Sequence, residues 1–161
     1  MRDRRFVAAH RGGPLDIASH RLLAAWAADC AEHVLPLFNV CSSDDRPQRA
    51  VELARAWANG EISVGDARKA AVAAHAAARG VTSKSATAVA RAAGHAVATA
   101  HMADHCLGAA VYALKAVYAS GATAASADLE RTWQIERLPD AVRELIVSAL
   151  GSDRFKRFTT S

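Results

Sequence analysis

The chain has 161 residues, the size of one domain, and 52% of them are hydrophobic although only 6% are aromatic. Alanine supplies nearly half of the apolar residues, and because it favours helices and lets them approach closely, the composition predicts an all-α fold. The net charge of +4 would suit nucleic acid, but no helix carries a basic face, which argues against a specific nucleic-acid-binding protein.

The basic residues that cause the net charge lie at the two ends of the chain. We therefore predict a single helical domain over residues 1–161, with basic, flexible ends at residues 1–13 and 152–161. Cysteines are few and widely spaced, at Cys30, Cys41 and Cys106, which is typical of a reduced, cytoplasmic protein.

Two features bear on targeting and membranes. The first thirteen residues contain no apolar stretch of the kind found in a signal peptide. Residues 105–127 contain only one clear charge, Lys115, but they consist of alanine, glycine and hydroxyl residues rather than leucine and isoleucine. This composition favours a buried helix of a soluble protein over a membrane span.

The first half of the chain contains three helical segments, each with residues that mark its start and its end. Asp16 can cap a helix that runs to about Leu35, where Pro36 is expected to end it. Asp44, Asp45 and Pro47 mark the start of a second helix, which Gly60 ends. Ser63 caps a third helix, with Asp66 in its first turn, and Gly80 ends it.

The second half begins with a helical pattern from Ser85 to Ser120 that is long for one helix. We expect a break near His101–Asp104, with Asp104 capping the second part. Asp128 or Ser126 opens a short helix, and Pro139 opens the last one. The pattern predicts about seven helices, packed as helical hairpins in a compact, α-solenoid-like array around an alanine-rich central pair.

The candidate chemistry lies in the histidines. His101, His105, Gly108 and Tyr112 would share one face of a continuous helix, and two imidazoles four residues apart can bind one metal ion. A further ligand would have to come from His75, His95 or Asp44. The alternative is a buried polar layer in which each imidazole is hydrogen-bonded and Gly108 lets a neighbouring helix come close. Because a bare pair of histidines at this spacing is a weak metal signal, we favour the polar layer.

Motifs for other chemistry are missing from the sequence. It contains no GxSxG, P-loop or GxGxxG pattern, and its carboxylates are scattered, so we interpret the chain as a non-catalytic protein without a cofactor. Arg46, Arg49 and Arg55, close to Asp44 and Asp45, are typical of a solvated ion-pair network.

Residues 44–79 and 89–116 together resemble the Imm-5-like family of bacterial immunity proteins. The resemblance is carried by Arg46-Pro47 ahead of the Trp57 helix, by the AAAR sequence at Ala76–Arg79, and by the Gly94-His95, His101, His105 and Gly108 series. It extends over roughly residues 15–120. It implies an all-helical protein that binds and neutralises the toxin of a polymorphic toxin system.

Two hypotheses follow. The first is an interaction protein whose partner is a cognate toxin, and which contacts it through exposed charged residues: Asp44, Asp45, Arg46, Arg49, Glu52 and Arg55. The second is a small metal- or ligand-binding protein that uses His101, His105 and Tyr112 with His75 or His95. The extensive alanine faces also allow a homodimer. The basic net charge departs from the acidic character expected of an immunity protein that mimics nucleic acid.

Overall fold

Helices account for the fold of residues 2–152, which are the residues that the computed structural model describes. The seven α-helices of this part of the chain are α1 (Ile17–Asn39), α2 (Arg46–Ala58), α3 (Val64–Arg79), α4 (Lys84–Ala98), α5 (His105–Ala119), α6 (Ala124–Glu136) and α7 (Asp140–Leu150). No β-strand occurs within residues 2–152, so the predicted all-α class is confirmed.

Local capping signals set several of the helix ends. The Ser63 side chain accepts a hydrogen bond from the Asp66 backbone N–H at 3.0 Å, as expected for the residue that caps α3. Gly60, which follows α2, has φ +78°, the left-handed conformation that only glycine adopts without strain.

The predicted end of α1 at Pro36 is wrong, because the helix continues to Asn39. Pro36 lies on the exposed side of the helix, where the backbone carbonyl that it leaves without a donor can be hydrated. Phe38, in the next turn, is fully buried, and its packing holds the last turn in helical form.

Two predicted caps are also corrected. Thr123, rather than Ser126 or Asp128, caps α6, and its hydroxyl accepts from the Ser126 N–H at 3.3 Å. Asp104 stands at the N-cap position of α5, and the predicted break before α5 is confirmed, but its side chain makes no capping bond. That carboxylate lies 3.4 Å from the Arg2 guanidinium instead.

Helix α4 is the centre of the structure. Nearly all of its alanines are buried, and it packs against α1, α2, α3 and α5. Consecutive helices from α2 to α6 pack on one another as hairpins, as predicted, while α1 lies across α2, α4 and α5. Because methyl-sized side chains separate the helices, the backbones come close together and leave little room for a larger group.

The residues before α1 pack onto the helices. Short 3₁₀ turns form at Arg4–Phe6 and Ala9–Arg11, and Phe6 is completely buried in the core. The flexibility of residues 1–13 stays a prediction, but Phe6 anchors the segment. The predicted flexible C-terminal end, apart from Ser152, lies outside the described residues.

Candidate functional site

Four imidazoles form a continuous row across α3, α4 and the start of α5. The order in space is His75, His95, His105, His101, and neighbouring ring centroids are 5.4, 5.2 and 5.2 Å apart. Tyr112, two turns along α5 from His105, stacks on the His95 ring at 5.2 Å. The structure therefore brings together the four candidate histidines named from the sequence, and we call these four residues the histidine row. Asp44, the other candidate ligand, lies before α2 and pairs with Arg46 instead.

Helix packing, rather than helix periodicity, assembles the row. The helix is broken between Ala98 and His105, so His101 lies in the connection and does not share a continuous helical face with His105. His75 and His95 approach each other because α3 packs on α4. The row is thus a tertiary feature of half-buried side chains where α3, α4 and α5 meet.

Two glycines make room for the row. A Cβ atom on Gly94 would lie 2.7 Å from the nearest His75 ring atom, and one on Gly108 would lie 2.6 Å from the nearest His95 ring atom. Each imidazole therefore rests directly on the backbone of the next helix. The predicted close approach at Gly108 is present, with the His95 ring as the group that occupies the space.

Hydrogen bonding limits the charge that the row can hold. The Nδ1 atoms of His95 and His105 are 3.1 Å apart, so one of them must carry the proton and the other must accept it. Two imidazolium rings cannot face each other in this way. At the end of the row, the Arg91 guanidinium lies 3.1 Å from Nδ1 of His75, and that nitrogen must accept the bond because a guanidinium only donates.

Burial favours the neutral form of the whole row. It lowers the pKa of His75, His95, His101 and His105, since an imidazolium loses hydration in this setting. The effect is largest at His95, where burial, with the nearby His105, His75 and Arg91, lowers the pKa to about 3. The negative charge of Asp104 acts in the opposite direction and raises the pKa of His105 and of His101, but the effect of burial is larger.

The row offers a metal ion few donors. Within residues 2–152, no three His, Cys, Asp or Glu side chains are arranged to hold one ion. Nδ1 of His95 and Nδ1 of His105 already share a proton, and Tyr112 lies against the face of His95 rather than beside these nitrogens. The choice between the polar layer and the metal site stays a prediction: His75, His95 and His105 are hydrogen-bonded as the polar layer requires, whereas Nδ1 of His101 is buried with no hydrogen-bond partner among the described residues.

The residues predicted to contact a partner lie along α2 and just before it, and we call them the α2 surface. They are Asp44, Asp45, Arg46, Arg49, Glu52 and Arg55. Arg46 and Asp44 form an ion pair at 2.6 Å, which lowers the pKa of the Asp44 carboxyl. Arg55 bridges to Asp29 and Glu32 of α1 at 2.8 and 2.5 Å. These pairs fix several side chains of the surface in place.

Asp45 and Arg49 differ from the other residues of the α2 surface. Both are exposed, and neither side chain forms a hydrogen bond or ion pair with any residue that the structure describes. Among the described residues, the Glu52 carboxylate accepts a hydrogen bond only from the Gln48 side-chain amide, at 3.0 Å. The α2 surface therefore combines fixed ion pairs with charges that are available to a partner.

Sequence reasoning missed two further histidine contacts. His20 is buried, and its Nε2 lies 2.6 Å from the carbonyl oxygen of Thr99, so it donates to the end of α4. His33 stacks on Trp133 of α6 at 3.7 Å and lies 2.8 Å from the Glu130 carboxylate. Neither contact has a local signal, because the partners are more than seventy positions away along the chain.

The two buried cysteines are not available as nucleophiles. Burial raises the pKa of the Cys30 and Cys106 thiols well above its ordinary value, so they remain protonated in the core. Cys30 lies buried in α1 and Cys106 lies buried in α5. No helix of residues 2–152 has the length and apolar character needed to cross a membrane.

Comparison with known proteins gives one match. The model of a family described as "Imm-5 like putative immunity protein" matches residues 13–141, which is most of the chain and includes the histidine row and the α2 surface. Searches of curated proteins and of solved structures found no match.

Proposed function

The chain belongs to the family of Imm-5 like immunity proteins, and from this premise we propose that it binds a cognate bacterial toxin and neutralises it. The family match is the observation that supports this proposal most directly. On this proposal the protein acts in the cytoplasm, by occupying its partner rather than by catalysis, and needs no cofactor.

The α2 surface supports binding because it carries both signs of charge in a fixed arrangement. Arg46 and Arg55 are held by carboxylates of their own chain, whereas Asp45 and Arg49 are exposed to a partner. Complementary charge on a toxin would speed association and set the orientation of the complex. We therefore propose the α2 surface as the contact region.

The charge of the chain makes one mode of inhibition unfavourable. A protein that blocks a nuclease by imitating nucleic acid needs an acidic surface, whereas this chain has a net charge of +4. We propose recognition through a local surface of mixed charge instead. Homodimer formation through the alanine-rich helices stays a prediction, which the mass of the protein in solution would test.

The first prediction concerns the α2 surface. The protein should co-purify with the toxin encoded by the neighbouring gene and should protect cells that express it. Arg49→Glu is expected to weaken the complex by about tenfold or more, because it reverses an exposed charge without disturbing the core. Lys69→Glu, on the exposed side of α3, makes the same change in net charge and should leave affinity unchanged.

Titration calorimetry of the purified pair measures both variants, and thermal unfolding shows that both remain folded. Absence of co-purification together with absence of protection would overturn the proposed function. Equal effects of Arg49→Glu and Lys69→Glu would instead show that only net charge matters, and would remove the α2 surface as the contact region.

A further inference from the structure

A groove separates α4 and α5 from the first turns of α6, and none of its lining residues belongs to the α2 surface. It encloses about 610 Å³, within the range of about 300–1,000 Å³ typical of small-molecule sites. The apolar part of its wall includes Ala88, Leu114 and Ala119. The rest of the wall is charged or aromatic, and no residue of the histidine row takes part in it.

The charge in this groove is strongly unbalanced. Among the described residues, Lys84, Arg91, Lys115 and Arg131 supply cationic groups to its wall, and Asp128 supplies the one carboxylate. In the described part of the chain, Lys84, Arg91 and Arg131 form no ion pair with a carboxylate, although the charge of the neighbouring Glu130 acts on Arg131. Arg91 donates a hydrogen bond to the His75 ring. Clustered like charges repel one another, so a groove of this kind favours a negatively charged occupant.

Arg131 adds a partly buried positive charge to the wall of the groove. Its Nη1 donates to the side-chain oxygen of Gln134 at 3.1 Å, while its Nε and Nη2 lie below the surface and have no hydrogen-bond partner among the described residues. Guanidinium N–H groups that are buried without acceptors cost stability. An anion in the groove beside Arg131 would offset part of that cost by compensating the charge.

Two tyrosines contribute aromatic surface to the wall of the groove. Tyr112 and Tyr118 line the groove, and the Lys115 ammonium lies 4.8 Å from the centre of the Tyr112 ring. Tyr118 is 52% exposed, which leaves its ring accessible for stacking. The Tyr112 ring already packs against His95 and Lys115, so a flat apolar body would pack against Tyr118 and Leu114 while an anionic group faces the cations.

We propose that the groove between α4, α5 and α6 binds a small organic anion that joins one carboxylate or phosphate group to a flat apolar body. This activity does not depend on the proposed toxin binding, because the groove and the α2 surface share no residue. It also differs from the histidine-based metal site, since none of its polar groups is an imidazole.

Three probes of one shape and different charge test the proposal: 2-naphthoate, the neutral 2-naphthamide and the cationic 2-naphthylmethylamine. Calorimetric titration of the full chain should give saturable one-site binding of 2-naphthoate. Affinity should fall about tenfold or more for the amide, and binding of the amine should be undetectable. Raising the salt concentration should weaken the binding of 2-naphthoate.

Variants locate the site. Lys84→Glu should weaken 2-naphthoate binding by about tenfold or more, because it reverses a charge on the groove wall. Lys69→Glu has the same effect on net charge but lies on α3, outside the groove, and should bind as the wild type does. Tyr118→Ala, at an exposed position, should weaken binding by removing one stacking surface.

Three outcomes would overturn the proposal. The first is the absence of saturable binding by any of the probes to the folded protein. The second is equal affinity for the amide and the carboxylate, which would mean that the cations do not select charge. The third is an equal loss of affinity in Lys84→Glu and Lys69→Glu. Unchanged affinity in both Lys84→Glu and Tyr118→Ala would count in the same way, because either result would mean that the anion binds outside the groove.

Discussion

Mild acid is expected to destabilise the protein steeply, starting below about pH 6.5, the ordinary pKa of a histidine. Burial holds the pKa of the histidine row below that value, and it does the same to the pKa of His20. The folded state therefore excludes protons that the unfolded chain accepts. The stabilisation is fully present above the unfolded pKa, and it is lost as the pH falls toward the folded pKa, which for His95 is about 3.

The size of the effect follows from the number of excluded protons. Each one lowers the free energy of unfolding by about 1 kcal/mol per pH unit within this window. Between about pH 6.5 and about pH 4.5, exclusion of the His95 proton alone removes about 2 kcal/mol from a typical total of about 5–15 kcal/mol, and the other buried imidazoles act in the same direction. Carboxyls whose pKa is lowered, such as those of Asp16 and Asp44, also stabilise the folded state. That stabilisation is lost only as the pH falls below the ordinary carboxyl pKa of 3.8.

Urea unfolding at a series of pH values measures this slope. His95→Gln should reduce the slope by about one proton, although the variant is less stable at neutral pH, because the most perturbed group of the row is gone. His10→Gln, which removes an exposed imidazole outside the row, should leave the slope nearly unchanged. A free energy of unfolding that stays constant between about pH 7 and about pH 5 would contradict the prediction.

Features that depend on neighbouring residues could be predicted from the sequence. Ser63 caps α3 and Gly60 ends α2 because both signals act within one turn of the backbone. The break before α5 was predictable for the same reason. Pro36 shows the limit of local rules: its effect on the helix is outweighed by the burial of Phe38, which depends on the rest of the fold.

The candidate sites depend on contacts between distant helices. The spacing of His101 and His105 singled out two members of the row, but the seating of His75 on Gly94 follows only from the packing of α3 on α4. Arg55 was grouped with α2, while its carboxylate partners lie on α1. The cationic groove draws on three helices, so no stretch of sequence contains a motif for it.

The close contact between helices can be tested at Gly108. Alanine normally stabilises a helix relative to glycine by about 1 kcal/mol, yet Gly108→Ala is expected to lower the free energy of unfolding by about 1–3 kcal/mol. The added methyl would lie 2.6 Å from the His95 ring. That ring cannot move aside easily, because Tyr112 stacks on it and His105 shares a proton with it.

Alanine substitutions at two other glycines serve as comparisons for the stability of Gly108→Ala. Gly94→Ala places a methyl 2.7 Å from the His75 ring, and it should cost less than Gly108→Ala because His75 has fewer contacts that hold it. Gly65→Ala, in the first turn of α3, meets nothing closer than 3.6 Å and should leave stability unchanged or slightly higher. The expected order of stability is therefore Gly65→Ala, Gly94→Ala, Gly108→Ala, from highest to lowest.

A double-mutant cycle separates the clash from any general effect of the substitution. His95→Ala removes the ring that the new methyl would strike, so Gly108→Ala should cost much less in that background than in the wild type. We expect a coupling energy of at least about 1 kcal/mol, measured by urea unfolding of the four proteins at neutral pH. If Gly108→Ala were as stable as the wild type, or equally costly with and without the His95 ring, then α4 and α5 would not meet through this imidazole. The histidine row would then lose its role in setting the distance between the two helices.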